Sequence, residues 1–187
     1  MGGTGKTPLV KFIASELSNR GYKPGLVSRG YGGKFSTTLE VTNDSTHKET
    51  GDEAQILAKL NLPFFLDKNR ARAAKKLQEK YDIEVIISDD GLQHYAMGRD
   101  IEIAVIDGVR RLGNGFAFPA GPLREPKSRL NEVDFIVNNG GPTEGDEILM
   151  TLSPTKFVHL NSGKEYSVDK WPMHNQVHAI AGIGNPN

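Results

Sequence analysis

The chain has 187 residues, enough for one or two domains, and its 25% charged and 37% hydrophobic residues are the balance of a folded protein. Its 23 basic and 23 acidic residues cancel, so no global field draws it to nucleic acid or to anionic lipid. It has no cysteine, which excludes disulfides and thiolate metal sites, and no apolar run near the roughly 20 residues of a membrane span.

The chain opens on Met1-Gly2-Gly3-Thr4-Gly5-Lys6-Thr7, a glycine-rich turn ending in Gly-Lys-Thr. Such a turn aims backbone N–H groups at a phosphate, sends the lysine to the β- and γ-phosphates and places the hydroxyl for Mg²⁺. The competing reading is a glycine turn with an exposed lysine. The full motif would place its first glycine before Met1, and the buried strand that normally precedes such a loop has no residues here. The chain therefore reads as a piece of a longer protein.

Val10, Ile13, Ala14 and Leu17 recur at helical spacing, and Asn19-Arg20-Gly21 supplies a stop. Gly25 to Ser28 is a short apolar strand that runs into the second glycine loop, Arg29-Gly30-Tyr31-Gly32-Gly33. Residues 34–50 are expected to hold one weak strand and surface loop. Gly51-Asp52-Glu53-Ala54 opens a helix to about Leu60, Pro63 to Leu66 is a strand, and Lys68 to Tyr81 is a helix with Ala71, Ala74, Leu77 and Tyr81 inward. Lys68, Arg70, Arg72, Lys75, Lys76 and Lys80 are expected on its solvated face.

Glu84 to Ser88 is a buried-type strand ending in Asp89-Asp90, Ile101 to Ile106 another ending in Asp107, and Asp134 to Val137 a third. Alternating strands and helices predict an α/β fold, a P-loop NTPase-like parallel sheet sandwiched by helices. Ligands in such sheets collect at the carboxyl ends of the strands, where Arg29, Asp89, Asp90 and Asp107 fall. Residues 138–147 read as a turn or boundary. Ile148 to Leu152 and Phe157 to Leu160 are expected to form a hairpin, and Val177 to Gly184 a strand entering a glycine turn. The domains expected are a kinase core over 1–147, a β linker over 148–170 and the start of a truncated second α/β domain over 171–187.

A phosphate loop needs an acidic partner for Mg²⁺, and Asp89 and Asp90 at a strand end fit, their mutual repulsion relieved by a divalent cation. A turn or cap is the competing reading. Phosphoryl transfer to an alcohol also needs a proton acceptor. Asp52 is one candidate, with a helix N-cap as its rival, and His94 is another; the residues alone do not separate these. Arg124, in Pro119-Ala120-Gly121-Pro122-Leu123-Arg124-Glu125-Pro126, either grips a phosphate or pairs locally.

Gly2 to Pro8, Ser28-Arg29-Gly30-Tyr31-Gly32-Gly33, Gly51 to Ala54, Ser88-Asp89-Asp90-Gly91-Leu92-Gln93-His94, Gly113-Asn114-Gly115 with Pro119 to Pro126, and Ala181 to Pro186 follow in this order. Together they resemble the tetraacyldisaccharide 4′-kinase family over essentially the whole chain. The resemblance implies transfer of the γ-phosphate of ATP, with Mg²⁺, to the 4′-hydroxyl of a tetraacylated glucosamine disaccharide 1-phosphate in lipid A synthesis. It implies that Met1, Gly2, Gly3, Thr4, Gly5, Lys6 and Thr7 bind ATP, with Lys6 on the phosphates and Thr7, Asp89 and Asp90 at the metal. Asp52 matches the proton-accepting aspartate, and Gln93, His94 and Arg124 match positions near nucleotide or acceptor.

Family members also carry an N-terminal membrane helix, a first core strand and more of a second domain, none of which is present in this sequence. By resemblance the full-length protein meets the cytoplasmic face of the inner membrane, and this chain is expected to turn over weakly or not at all. Two rivals stand beside the kinase: a ParA/MinD-like P-loop ATPase switch, which puts a lysine where Met1 stands, and a catalytically inactive nucleotide-binding fragment. Nucleic acid is not an expected partner, given neutral charge and no interleaving of basic and aromatic residues.

Overall fold

In a computed structural model of the chain, the structure is described for residues 4–170. The strand expected at Val177 to Gly184 lies outside the described residues. The chain forms two compact units, one of Gly5–Ala104 and one from Val105 onward that also takes in Thr4.

The first unit begins with helix α1 (Lys6–Asn19). Pro8 is tolerated in its first turn because the leading N–H groups of a helix have no intrahelical acceptor. At the other end Gly21 and Tyr22 donate backward to the carbonyls of Ser18 and Leu17 (3.0 Å each), closing the helix where the sequence predicts. β1 (Pro24–Ser28) follows, then β2 (Leu39–Glu40), the short helix α2 (His47–Thr50), α3 (Asp52–Ala58), β3 (Phe64–Leu66), α4 (Arg70–Lys80) and β4 (Val85–Ser88). The sheet order is β2-β3-β1-β4; β1 is parallel to β3 and β4, and β2 is antiparallel to β3.

Alternation along the strands builds two cores. Leu26, Phe64 and Leu66 pack with Ala14 of α1 and Ala54 and Leu57 of α3, while Val27 and Phe65 pack with Ala73 and Leu77 of α4. The sheet is thus covered on both faces. Each such fully buried Leu or Phe contributes roughly 1.5–3 kcal/mol.

α4 departs from its predicted facing. Arg70, Ala73 and Leu77 are fully buried, while Ala74 and Tyr81, expected inward, pack half-buried against the same cluster, so the inward stripe widens toward Arg70 and Ala73. The basic face is not simply solvated either. Arg70 is buried, Arg72 clamps Asp67, and Lys80 pairs with Glu40.

The second unit holds the sheet β5-β6-β7, made of β5 (Ile103–Asp107), β6 (Phe135–Asn139) and β7 (Ile148–Met150). β7 pairs parallel to β6, Val137 opposite Ile148. The run from Ile148 therefore joins the sheet instead of the expected hairpin; the hairpin forms later, between β8 (Lys156–Val158) and β9 (Glu165–Ser167). Arg111 explains the difference: it reaches both Glu147 oxygens (2.8 and 2.7 Å), and Asn138 donates to the same carboxylate at 2.9 Å, pinning the start of β7 beside β6. Among the described residues no helix is long and apolar enough to cross a membrane.

Candidate functional site

In the first unit three parallel strands end at one edge. Val27 of β1 lies opposite Phe65 and Ser88, so Asp67, Ser28-Arg29 and Asp89-Asp90 emerge side by side. The ladder continues one residue further, with Asp67 donating its N–H to Ser28 and Asp89 to Val27, both at 3.0 Å.

α1 starts at the left-handed Gly5 (φ 91°). Its first residue, Lys6, places Nζ 3.8 Å from Asp90 Oδ1. Thr7 follows, half-buried, in the first turn of the 14-residue helix, whose positive dipole end is suited to an anion. Thr4 is held by its carbonyl, which accepts from Asn139 Nδ2 at 3.3 Å within the second unit. Met1, Gly2 and Gly3 lie outside the described residues.

Asp89 is 3% exposed, and its Oδ1 is buried with no protein hydrogen-bond partner. Burial first, then the Glu53 and Asp90 carboxylates, push its pKa up to about 6 against the pull of Lys6 and Arg70. Asp90 has φ 52°, a left-handed conformation uncommon outside glycine that turns the chain sharply after Asp89.

Beneath the pair lies Arg70, 3% exposed. Its guanidinium donates to the main-chain oxygens of Asp67 (3.2 Å), Asp89 (3.3 Å) and Asp90 (3.4 Å). One buried cation thus ties the ends of β3 and β4 together. The sequence reading placed Arg70 on the solvated face; the available signal was its position one residue after the Asp67-Lys68-Asn69 turn that closes β3. Glu53 was also missed as a contributor, although it stands inside the Gly-Asp-Glu-Ala motif.

His94 accepts from the Arg70 N–H through Nε2 (3.3 Å), so that nitrogen is unprotonated and engaged at the start of α4. Burial, with the cationic Arg70, Arg99 and Arg29, holds its pKa below the usual imidazole value. Gln93 lies in the turn just before it.

Asp52 is the first residue of α3, not its N-cap. The cap is Gly51, with φ 82° and ψ 164°. A Cβ on Gly51 would lie 2.1 Å from the Tyr31 carbonyl, so only glycine lets the Arg29–Gly33 loop press against the start of α3. That contact leaves Asp52 exposed beside a cleft of about 490 Å³ lined also by Tyr31, Lys34, His47, Lys48 and Glu53.

Asp107 and Arg124 belong to the second unit. Asp107 Oδ1 accepts from the N–H groups of Val109 (3.0 Å) and Arg110 (2.9 Å), a turn brace in the second unit. Arg124 lies exposed on the loop that follows Asn114 in the same unit.

The donors at this strand end are oxygens, the orphaned carboxylate of Asp89 and that of the neighbouring Asp90. That chemistry fits a hard cation such as Mg²⁺, which takes one or two carboxylates and draws its other ligands from water and phosphate. Among the described residues no cluster of three His, Cys, Asp or Glu side chains forms a protein-only metal cage.

The sequence model of the LpxK family, described as tetraacyldisaccharide-1-P 4′-kinase, matches residues 1–187. Tetraacyldisaccharide 4′-kinase of Shewanella frigidimarina is 49% identical over 99% of this chain and 55% of its own length. The protein of that name from Methylobacillus flagellatus is 48% identical over 100% of this chain and 56% of its own. The "apo" form of LpxK from Aquifex aeolicus, crystallised in complex with ATP, superposes with a TM-score of 0.75 at 28% identity, over 90% of this chain and 56% of that one. The chain therefore spans about half the length of the relatives it matches. With the family model matched from first residue to last, the chain belongs to the tetraacyldisaccharide 4′-kinase family.

Proposed function

We propose that this chain carries the nucleotide-binding and proton-accepting part of a lipid kinase. The kinase transfers the γ-phosphate of ATP to the 4′-hydroxyl of a tetraacylated glucosamine disaccharide 1-phosphate in lipid A synthesis. The observation that carries the proposal is the meeting of Lys6 at the start of α1 with Asp90, beside the buried Asp89, in a chain of this family.

Met1 to Gly5 cradle the phosphates through backbone N–H groups, and Lys6 offsets charge on the β- and γ-phosphates as the bond to the leaving ADP breaks. Thr7, Asp89 and Asp90 would hold Mg²⁺, which supplies charge neutralisation across the phosphates when bound. The acceptor sugar occupies the cleft between Tyr31 and Asp52. There Asp52 takes the proton of the 4′-hydroxyl as its oxygen forms the new bond to phosphorus. Gln93, His94 and Arg124 stand near nucleotide or acceptor, His94 acting through the seat of α4. The core is assigned to 1–147, a linker to 148–170 and the start of a second domain to 171–187. The full-length protein works at the cytoplasmic face of the inner membrane.

The test is transfer of labelled γ-phosphate from Mg-ATP to the disaccharide 1-phosphate by three proteins. These are this chain, a form extended at both ends to the length of its relatives, and the extended form with Asp52→Ala. Product is expected only from the unmutated extended form. If that form binds ATP and never labels the acceptor, the assignment gives way to a switch-type ATPase.

A further inference from the structure

Asp89 and Asp90 open a stretch, residues 89–102, that contains neither helix nor strand. An acidic pair on such a backbone keeps its place only where the carbonyls around it find donors. Here four consecutive carbonyls accept from two guanidinium groups. Arg70 takes those of Asp89 (3.3 Å) and Asp90 (3.4 Å), and Arg99 takes those of Gly91 (2.8 Å) and Leu92 (3.0 Å).

Arg70 comes from α4, whereas Arg99 comes from further along the same stretch. Residues 91–94 close as a turn, the Gly91 carbonyl also accepting from His94 N–H at 2.9 Å. Arg99 adds a side-chain donor to that carbonyl and to its neighbour. The turn has little slack toward β4, since a Cβ on Gly91 would lie 2.6 Å from Ser88 Oγ. Arg99 is itself aimed: its Nε lies 2.6 Å from Glu102 Oε1, with the two side chains 18% and 13% exposed, and its guanidinium sits 5.5 Å from the centre of the Tyr95 ring. A charge-assisted bond so shielded from water holds its geometry better than a surface ion pair does.

The turn delivers His94. Its Nε2 accepts from Arg70 N–H at 3.3 Å, on the first residue of α4, and the side chain of that same arginine holds Asp89 and Asp90. The linkage is thus closed, running from Arg99 through the turn to His94, to Arg70 and back to the acidic pair. Asp90, left-handed at φ 52°, is the member whose carboxylate meets Lys6. A residue in that conformation depends on the bonds around it to stay there.

We propose that Arg99 is a positioning residue for phosphoryl transfer, holding the 91–94 turn so that His94, Arg70 and the Asp89–Asp90 pair keep one arrangement opposite Lys6. Its catalytic consequence rests on the kinase reading, while its geometric content can be tested in this chain alone.

The first arm of the test is nuclear magnetic resonance of the imidazole nitrogens of this chain at pH 8, without nucleotide. His94 should show a single tautomer with Nε2 unprotonated, and Arg99→Gln should replace it with the averaged signals of a released ring. The second arm is steady-state transfer of phosphate by the extended form, at a temperature where circular dichroism shows every variant folded. Arg99→Gln should lower kcat by roughly tenfold to a hundredfold, the scale of a misplacement near 1 Å, with KM for the acceptor within a factor of two of the parent. Arg99→Lys keeps the charge but lacks the second nitrogen that meets Glu102, and should recover only part of either signal.

The proposal is overturned if folded Arg99→Gln keeps the parental His94 signals, or if its kcat stays within a factor of two of the parent. It is also overturned if Arg99→Lys restores both readouts in full, which would make charge rather than geometry the cause, or if lost turnover merely follows the folded fraction. An extended parent that transfers no phosphate defeats the kinase reading and the catalytic role with it; the first arm, behaving as expected, would then leave Arg99 as a brace of His94 alone.

Discussion

The buried guanidinium of Arg70 grips the main-chain oxygen of Asp89 at 3.3 Å, so the acidic pair at the end of β4 is positioned by a cation from the first turn of α4. Removing it would leave three carbonyls without that donor and open a cavity between strand ends. Arg70→Ala is expected to cost about 3 kcal/mol of stability, read as a lower urea midpoint at unchanged slope. Arg70→Lys, which cannot reach three acceptors with one planar fork, should recover only part of it.

Asp67 gives the first unit an acid-labile joint. Burial works to raise its pKa, but the bidentate Arg72 (2.6 and 2.8 Å), the Thr38 hydroxyl and the Asn69 N–H outweigh it and bring the value to about 2. A depressed carboxylate stabilises the fold above its ordinary pKa of 3.8, and that contribution is lost as pH falls toward 2. The stake is roughly 2 kcal/mol. Asp67→Asn should therefore lower stability at pH 7 and flatten the fall in stability between pH 4 and pH 2, measured by thermal unfolding across that range.

Asp89 has the opposite sign. Its pKa of about 6 lies above the ordinary 3.8, so the folded state binds a proton more readily and this group's contribution to stability declines as pH rises through that window. Asp89→Asn should raise the melting temperature at pH 7.5, by up to about 2 kcal/mol in equivalent stability, and change it little at pH 4. The same substitution should abolish phosphoryl transfer in the extended protein. A stabilised, inactive variant is what a metal-holding carboxylate predicts; a destabilised one would point to a turn role alone.

Lys6→Ala should weaken Mg-ATP binding tenfold to a hundredfold, the range of one charge-assisted contact of about 1.5–3 kcal/mol. Isothermal titration on the unmutated and substituted chains checks it. Binding unchanged within a factor of two would return the opening segment to a plain glycine turn.

Gly51→Ala combines a φ of 82° with a Cβ placed 2.1 Å from the Tyr31 carbonyl. It should cost at least about 2 kcal/mol and displace Asp52. Gly32→Ala is the comparison: its φ of 81° is also positive, with nothing within 4 Å of the added carbon, so it should cost less than Gly51→Ala.

Much was legible in the order of residues because its causes are local. The Gly5-Lys6-Thr7 turn, the period of Val10, Ala14 and Leu17, and the apolar strands ending in Ser28 and Asp89-Asp90 depend on near neighbours and on backbone geometry. Those features determined an α/β fold, a parallel sheet and a strand-end cluster of acids near a lysine. Their combination in six motifs determined the family. What only the tertiary structure decided depends on partners far along the chain. Arg70 is inside because carbonyls some twenty residues away need a donor there, which no periodicity within α4 can indicate. Asp52 is displaced from the cap because the Tyr31 carbonyl leaves room only for Gly51 at that position. Ile148 joins β6 because Arg111 and Asn138 both hold Glu147. In each case a polar group had to find its partner across the fold, and the energy of leaving it unpaired, rather than the local pattern, settled where the chain went.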